Sequence, residues 1–269
     1  MSFLVNPYWY ASAGCADADA NAFLTAAGIT DPTITSAICT LVTTMKADGT
    51  WAKCNAIYPM VGGTATTHKF NLKNPADTNA AFRLNFVGGW THSATGALPN
   101  GTNAFADTFL NPLTLLNKTT THLSIYIRNN LNNLFYPVDI GCSTSINNGT
   151  DNTILISRYT NLSFSNIATN GSFQLASTDS RGFWNITTNS SASRFFYKNG
   201  TQFGTQATAQ NNFPNFNIYI GAVNSGGVLT FPSNKQYAFA SIGSGLNTTE
   251  AAALYTSVQA FQTTLSRQV

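Results

Sequence analysis

Proton-transfer chemistry needs carboxylates, imidazoles or an activated nucleophile within reach of one another, and this chain holds few of them. Its acids are nine aspartates and a single glutamate, Glu250. Cleaving a glycosidic bond takes two carboxylates facing it. No stretch that reads as a strand carries two acids at i, i+2 spacing. Asp17 and Asp19 have that spacing, but they open a helical pattern, where capping accounts for them. Glu250 likewise sits in the first turn of a helical pattern, where a negative charge suits the helix dipole. Asp139 in "PVDIG" and Asp179 in "TDSRG" are isolated. The histidines are His68, His92 and His122, and no G-x-S-x-G elbow accompanies them. The cysteines, Cys15, Cys39, Cys54 and Cys142, lack C-x-x-C spacing and a nearby histidine, so no zinc site is expected. They read as buried free thiols, with a Cys15–Cys39 or Cys39–Cys54 bridge left open. No Asp-rich loop argues for calcium. The expectation is a chain without catalytic residues, metal or cofactor, and so not an enzyme.

Binding chemistry is better represented. A saccharide is recognised by an aromatic ring over its C–H face, with amide, hydroxyl and guanidinium groups taking its hydroxyls. Three places offer that pairing: Trp90 and His92 in "GGWTHSATG", Arg181 and Trp184 in "DSRGFWN", and Tyr197 and Asn199 in "YKNG". Each competes with a plainer reading as a core aromatic beside a turn residue. Asn-x-Ser/Thr triplets at Asn161, Asn185 and Asn247 read as a consequence of an Asn- and Thr-rich composition.

Composition narrows the class. Of the 269 residues only 9% are charged, against about 25% in ordinary soluble domains. Aromatic residues make up 12%, enough for a packed core and against disorder. The net charge is +3 with no Lys/Arg cluster, so nucleic acid is not an expected partner. No apolar run approaches the roughly 20 residues of a membrane span. The start, "MSFLVNPYWYASAG", lacks a basic n-region and a long apolar run and is not read as a secretory signal. Its Phe3, Leu4, Tyr8, Trp9 and Tyr10 make an apolar arm, suited to docking on its own domain or on another subunit.

Two helices follow the arm. "DADANAFLTAAG" has Asp17 or Asp19 as cap and Gly28 as stop. "DPTITSAICTLVTTMKADG" opens at Asp31-Pro32 and closes at Lys46 and Gly49. From about Asn55 short β-branched and aromatic runs alternate with Gly, Asn and Pro, about ten strands in all. "HLSIYIRN" puts Leu123, Ile125 and Ile127 on one face and Ser124, Tyr126 and Arg128 on the other. Asn199-Gly200 is the pair a type I′ hairpin turn favours, since both central residues need positive φ. "GLNTTEAAALYTSVQAFQTTL" closes the chain as a helix with Asn247 or Thr248 as cap. The expected fold is mainly β: an antiparallel sandwich with two N-terminal helices and one C-terminal helix. The expected units are an arm over 1–15, a helical hairpin over 16–50, and a sandwich with its helix over 51–269.

"RFFYKNGTQFG" and "NIYIGAVNSGGV", with the closing helix, resemble laminin-G-like and concanavalin-A-like jelly-roll domains. "WAKCNAIYPMVGGTATTHKFNLKNP" and "AAFRLNFVGGWTHSATGALPNGTNAFADTFL" resemble a segment of bacteriophage structural proteins. The resemblance implies a virion protein (a head fibre, capsid spike or tail-associated protein) bound to other virion proteins. It implies a homo-oligomer, with a trimer favoured, and adhesion to cell-surface glycan. The arm would be the anchor. The alternatives are a polysaccharide-degrading enzyme on the same fold and a ligand-free capsid decoration or cement protein.

Overall fold

The computed structural model describes residues 15–132, 135–145, 150–169, 173–207 and 210–269. The arm residues Phe3, Leu4, Tyr8, Trp9 and Tyr10 lie outside the described residues. Helix α1 (Ala18–Ala27) starts at Asp17, whose carboxylate accepts from the Asp19 and Ala20 amides, and stops at Gly28 in the left-handed region at φ 64°. Helix α2 (Pro32–Ala47) has Asp31 as cap, accepting from the Ile34 amide. The hairpin of the two helices carries a Cys15–Cys39 disulfide, whereas Cys54 and Cys142 are buried free thiols. The expectation of free thiols therefore fails for the first two. Packing α1 on α2 brings the start of one helix beside the middle of the other, which spacing in sequence cannot show. Single turns α3 (Thr50–Lys53), α4 (Ala65–His68) and α5 (Pro112–Leu115) punctuate the strands. Helix α6 (Thr248–Thr264) opens on a capping box: Asn247 Oδ1 accepts from the Glu250 amide at 2.9 Å, and Glu250 Oε2 accepts from the Asn247 amide at 2.8 Å. The only glutamate is thus committed to a helix end.

The first strands are β1 (Cys54–Tyr58), β2 (Asn85–Val87), β3 (Trp90–Ser93), β4 (Gly96–Pro99), β5 (Phe105–Asp107) and β6 (Thr121–Ile127). The middle of the chain supplies β7 (Ile140–Ser145), β8 (Thr150–Tyr159), β9 (Leu162–Thr169), β10 (Phe173–Ala176), β11 (Gly182–Thr188), β12 (Ser193–Lys198) and β13 (Thr201–Ala207). The last are β14 (Tyr219–Ile220), β15 (Val223–Ser225), β16 (Val228–Thr230) and β17 (Tyr237–Gly243). They form two sheets. One runs β13-β12-β11-β6-β17-β4-β3, with β1 also on β17; the other runs β10-β9-β8-β7-β14-β5-β2, with β15 and β16 attached. Pairing is antiparallel apart from β15 on β7, which is parallel.

Two apolar layers result. Leu123, Ile125, Ile127, Trp184 and Ile186 of the first sheet meet Ile140, Leu155 and Ile220 of the second. On the outer face of the first sheet, Tyr126, Phe183, Tyr197 and Phe239 pack against α1, α2 and α6. Strand β6 is therefore buried along both faces, not half-solvated as its alternation suggests. Its polar positions find partners there: Ser124 Oγ lies 2.6 Å from Ser241 Oγ, and His122 Nε2 lies 3.0 Å from the same hydroxyl.

One ion pair is sealed between the sheets. Lys235 Nζ donates to both oxygens of Asp139 at 3.1 Å, with neither side chain exposed. Asp139 also accepts from the Ser157 amide (2.6 Å), Ser157 Oγ (2.8 Å) and the Tyr237 hydroxyl (3.0 Å). Replacing Lys235 by Met strands a buried carboxylate, and an unfolding titration in urea should read a loss of about 3–5 kcal/mol. Adding Asp139→Asn, which keeps an acceptor without the charge, should restore most of that loss. Equal losses in the single and double variants would show that the charge is not what the pair balances.

Candidate functional site

The six residues that could contact a saccharide do not converge. Trp90 and His92 lie on β3, at one edge of the first sheet, whereas Arg181, Trp184, Tyr197 and Asn199 lie on or beside β11 and β12. Four strand steps separate β11 from β3, about 19 Å at the usual strand spacing. Trp184 is fully buried and spends its Nε1–H on the Ser180 carbonyl at 2.8 Å. Tyr197 is also buried, on the helix-facing side, with its hydroxyl 3.1 Å from Thr248 Oγ1. Neither ring offers a face to a ligand. Asn199 and Gly200, at φ 50° and 72°, make the expected hairpin corner. The Asn199 side chain is taken by the Phe183 amide, which it accepts at 2.8 Å. Asn185 is buried as well, so its triplet is no acceptor for modification. Of the group on β11 and β12, Arg181 alone is exposed.

Arg181 belongs to a loop end that the sequence left unassembled. Strands β6, β8, β10 and β12 finish there, and the segments after them are tied by side chains. Asn130 Oδ1 accepts from Arg158 Nη1 (2.7 Å) and the Ser180 amide (3.1 Å). Asn161 Oδ1 accepts from Arg158 Nη2 (2.6 Å), and the Asn161 amide donates to Asn132 Oδ1 (2.9 Å). Arg181 grips Asp179 with Nε and Nη2, at 2.9–3.1 Å, and holds that carboxyl below the usual carboxylate range. Lys198 Nζ donates to the Asp179 carbonyl at 2.6 Å.

An aromatic cluster on the outer face of the second sheet adjoins these loops. Tyr136 is its hub, edge-on to Tyr159, Phe164 and Phe231 at centroid distances of 5.1–5.3 Å. Burial, aided by Tyr159, pushes the Tyr136 hydroxyl up to about 12. Next to it Phe135 is 86% exposed. Tyr159 and Arg158 are consecutive, as are Thr160 and Asn161 in the turn between β8 and β9. The loop end thus combines ring faces with amide and guanidinium groups, the chemistry sought at Trp90, Trp184 and Tyr197. No signal local in sequence joins residues 135–136, 158–161 and 231, which meet only through sheet pairing.

At the opposite edge, Trp90 and His92 serve a seam between the sheets. Phe86 of β2 is edge-on to both rings, and Trp90 Nε1 donates to the Val87 and Phe105 carbonyls. His92 Nδ1 lies 2.9 Å from His68 Nδ1. One imidazole donates and the other accepts, so at least the accepting ring is neutral. Burial, reinforced by His92 and Arg267, holds His68 down to about 3, and burial lowers His92 too. His122, buried under the helix layer, is held down to about 4.

No family model matches the sequence, and no curated protein matches it. Solved structures resemble the fold. Domain 4 of AbnA, an extracellular GH43 arabinanase from Geobacillus stearothermophilus solved with arabinotriose, superposes with TM-score 0.51 at 11% identity, over 75% of this chain and 98% of that domain. The receptor binding domain of a botulinum neurotoxin C/D mosaic serotype gives TM-score 0.52 at 11% identity, over 77% of this chain and 51% of that one. A Trypanosoma rangeli sialidase in complex with 2,3-difluoro-KDN gives 0.50 at 12% identity, over 81% of this chain and 38% of that one. The chain is a jelly-roll-like β-sandwich. It spans about half of the neurotoxin chain and little more than a third of the sialidase.

The histidines set an acid limit. Each has a folded pKa below its ordinary value of 6.5, so below pH 6.5 the unfolded chain takes up protons that the folded chain refuses. The stability they contribute is complete above that pH and is lost as pH falls towards 4 and 3. Urea midpoints at pH 7.5, 6 and 5 should fall steadily, at up to about 1.4 kcal/mol per pH unit for each of the buried His68 and His122 and less for the half-buried His92, before carboxylates begin to titrate. A flat profile over this window would contradict the buried neutral histidines.

Proposed function

We propose that the chain is a virion structural protein whose sandwich adheres to glycan through the loop end and leaves the saccharide uncut. The observation that carries the adhesion reading is the meeting of exposed Phe135, the Tyr136–Tyr159–Phe231 cluster and the Arg158–Asn130–Asn161 network on one surface. A domain of the same fold, that of the arabinanase, has been solved with arabinotriose, which lends support. The virion role rests on the resemblance of the run over residues 51–110 to phage structural proteins. The Cys15–Cys39 bridge suits a protein that works outside a reducing cytosol.

Turnover is the competing reading. Retaining or inverting hydrolysis needs a carboxylic acid able to give a proton and a second carboxylate opposite it. Within the bonded loop-end network the carboxylate is Asp179, half-buried, and Arg181 keeps it ionised. Asp139 is sealed beneath, bound by Lys235. Both are poorly placed to transfer protons to a sugar.

On a glycan array the purified chain should bind at least one saccharide class, and Phe135→Ala should weaken that binding about five- to tenfold, the worth of one stacked ring, with an unchanged unfolding midpoint. Binding to no glycan would favour the cement alternative, and release of reducing ends would favour the enzyme. Separately, deleting residues 1–12 should leave a folded sandwich that fails to enter particles. Normal incorporation would remove the anchoring role given to Phe3, Leu4, Tyr8, Trp9 and Tyr10.

A further inference from the structure

Charge at the loop end is unbalanced. Three cations are tied into it, Arg158, Arg181 and Lys198, and the carboxylate among them is Asp179. Arg181 takes that carboxylate with both nitrogens. Among the described residues, Arg158 is held by the neutral Asn130 and Asn161 oxygens. Lys198 is held by a backbone carbonyl, with its ammonium 4.6 Å over the Trp184 ring. Lys198 and Arg158 are half-buried, and a charge drawn out of water without an opposite charge is costly. The cations also sense one another: burial lowers the Lys198 pKa, and Arg181 and Arg158 lower it further against the pull of Asp179. An arriving anion would relieve that repulsion and supply the missing counter-charge.

We infer that the loop end selects acidic saccharides, with a sugar carboxylate or sulfate taken by Arg158 and Lys198, which hydrogen-bond to no carboxylate among the described residues, and with Phe135 exposed at the adjoining aromatic cluster. This rests on the adhesion reading and adds the ligand's chemical class. Two spare cations are too few for a nucleic-acid duplex, whose binders typically neutralise about 6–10 phosphates. An acidic sugar needs one or two such contacts, together with the amide and ring surface already present.

The test titrates the full chain calorimetrically with length-matched oligosaccharides: a neutral glucan, an oligoalginate bearing carboxylates and a heparin-derived fragment bearing sulfates. At least one acidic ligand should bind tenfold or more tighter than the glucan, and its affinity should fall severalfold from 50 to 300 mM salt, as exposed charge contacts do. The oligoalginate and heparin arms separate carboxylate from sulfate as the source of the anion. Arg158→Gln combined with Lys198→Gln should erase the preference and keep the glucan affinity. Should that variant not fold, Asp179→Asn serves instead: it keeps an acceptor for the Arg181 amide, adds one net positive charge, and should tighten acidic binding two- to fivefold. Equal affinity for neutral and acidic sugars, or no response to Asp179→Asn, overturns the acidic preference and leaves adhesion standing. Absence of binding to all three and to a broader array overturns both.

Discussion

The buried contact between Asp139 and Lys235 is the constraint from which the arrangement of this sandwich follows. Asp139 precedes β7 in one sheet, and Ser157 beside it belongs to β8; Lys235 precedes β17 in the other, and Tyr237 begins that strand. The bond crosses the interior at the end where the loops gather. Burying both charges costs several kcal/mol per ion unless the lone pairs and protons are met in full, and here Ser157, Tyr237 and Ser233 meet those of the carboxylate. In a chain with 9% charged residues, sealing an ion pair in the core fixes where the sheets register. It also fixes where residues 136–139 enter β7, and hence where Tyr136 and Phe135 stand.

The helix layer decides which surfaces remain for a partner. Helices α1, α2 and α6 cover the outer face of the first sheet, so its aromatic residues there, Tyr126, Phe183, Tyr197 and Phe239, act as core. The outer face of the second sheet has no helix on it in the described residues. Its aromatic residues make a small cluster whose rim is wet: Val138, Ile156 and Phe164 are buried, while Tyr136, Tyr159 and Phe231 are only partly so. The same residue types therefore carry opposite meanings on the two sheets. What distinguishes them is cover from helices remote in sequence.

That asymmetry explains what could be read from residues alone. The caps at Asp17, Asp31 and Asn247 and the Asn199-Gly200 corner are short-range effects, contained within four residues, and each stands where the pattern placed it. The sandwich itself follows from period-two runs between turn residues. Strand breaks were less visible: "NIYIGAV" divides at Gly221, at φ 83°, into β14 and β15. Two of the candidate rings are hidden for a physical reason. Trp184 and Tyr197 sit on strands beside turn residues, as a binding aromatic would, but one points between the sheets and the other under α6. The Phe135–Tyr136, Arg158–Asn161 and Phe231 segments are far apart in sequence, so their adjacency exists only after the sheets pair. The Cys15–Cys39 bridge and the His68–His92 contact are products of tertiary packing in the same way.

A surface that binds without reacting should be rigid and already hydrogen-bonded, because ordering loops on contact subtracts from affinity. The loop end meets that condition. Asn130 alone links three segments, through Arg158, Ser180 and the Thr178 carbonyl, and Asn132 ties the β8–β9 turn to the segment after β6. Catalysis asks for the reverse at its centre: an acid whose proton is loosely held, and a base without a permanent partner. The carboxylate in this network is gripped by a guanidinium, and the imidazoles of the chain are either paired with each other at the far edge or buried under the helices. Polar groups here are spent on holding shape. What they leave at the surface of the loop end is the ring of Phe135, several amides, and the half-buried Arg158 and Lys198, which make no ion pair among the described residues.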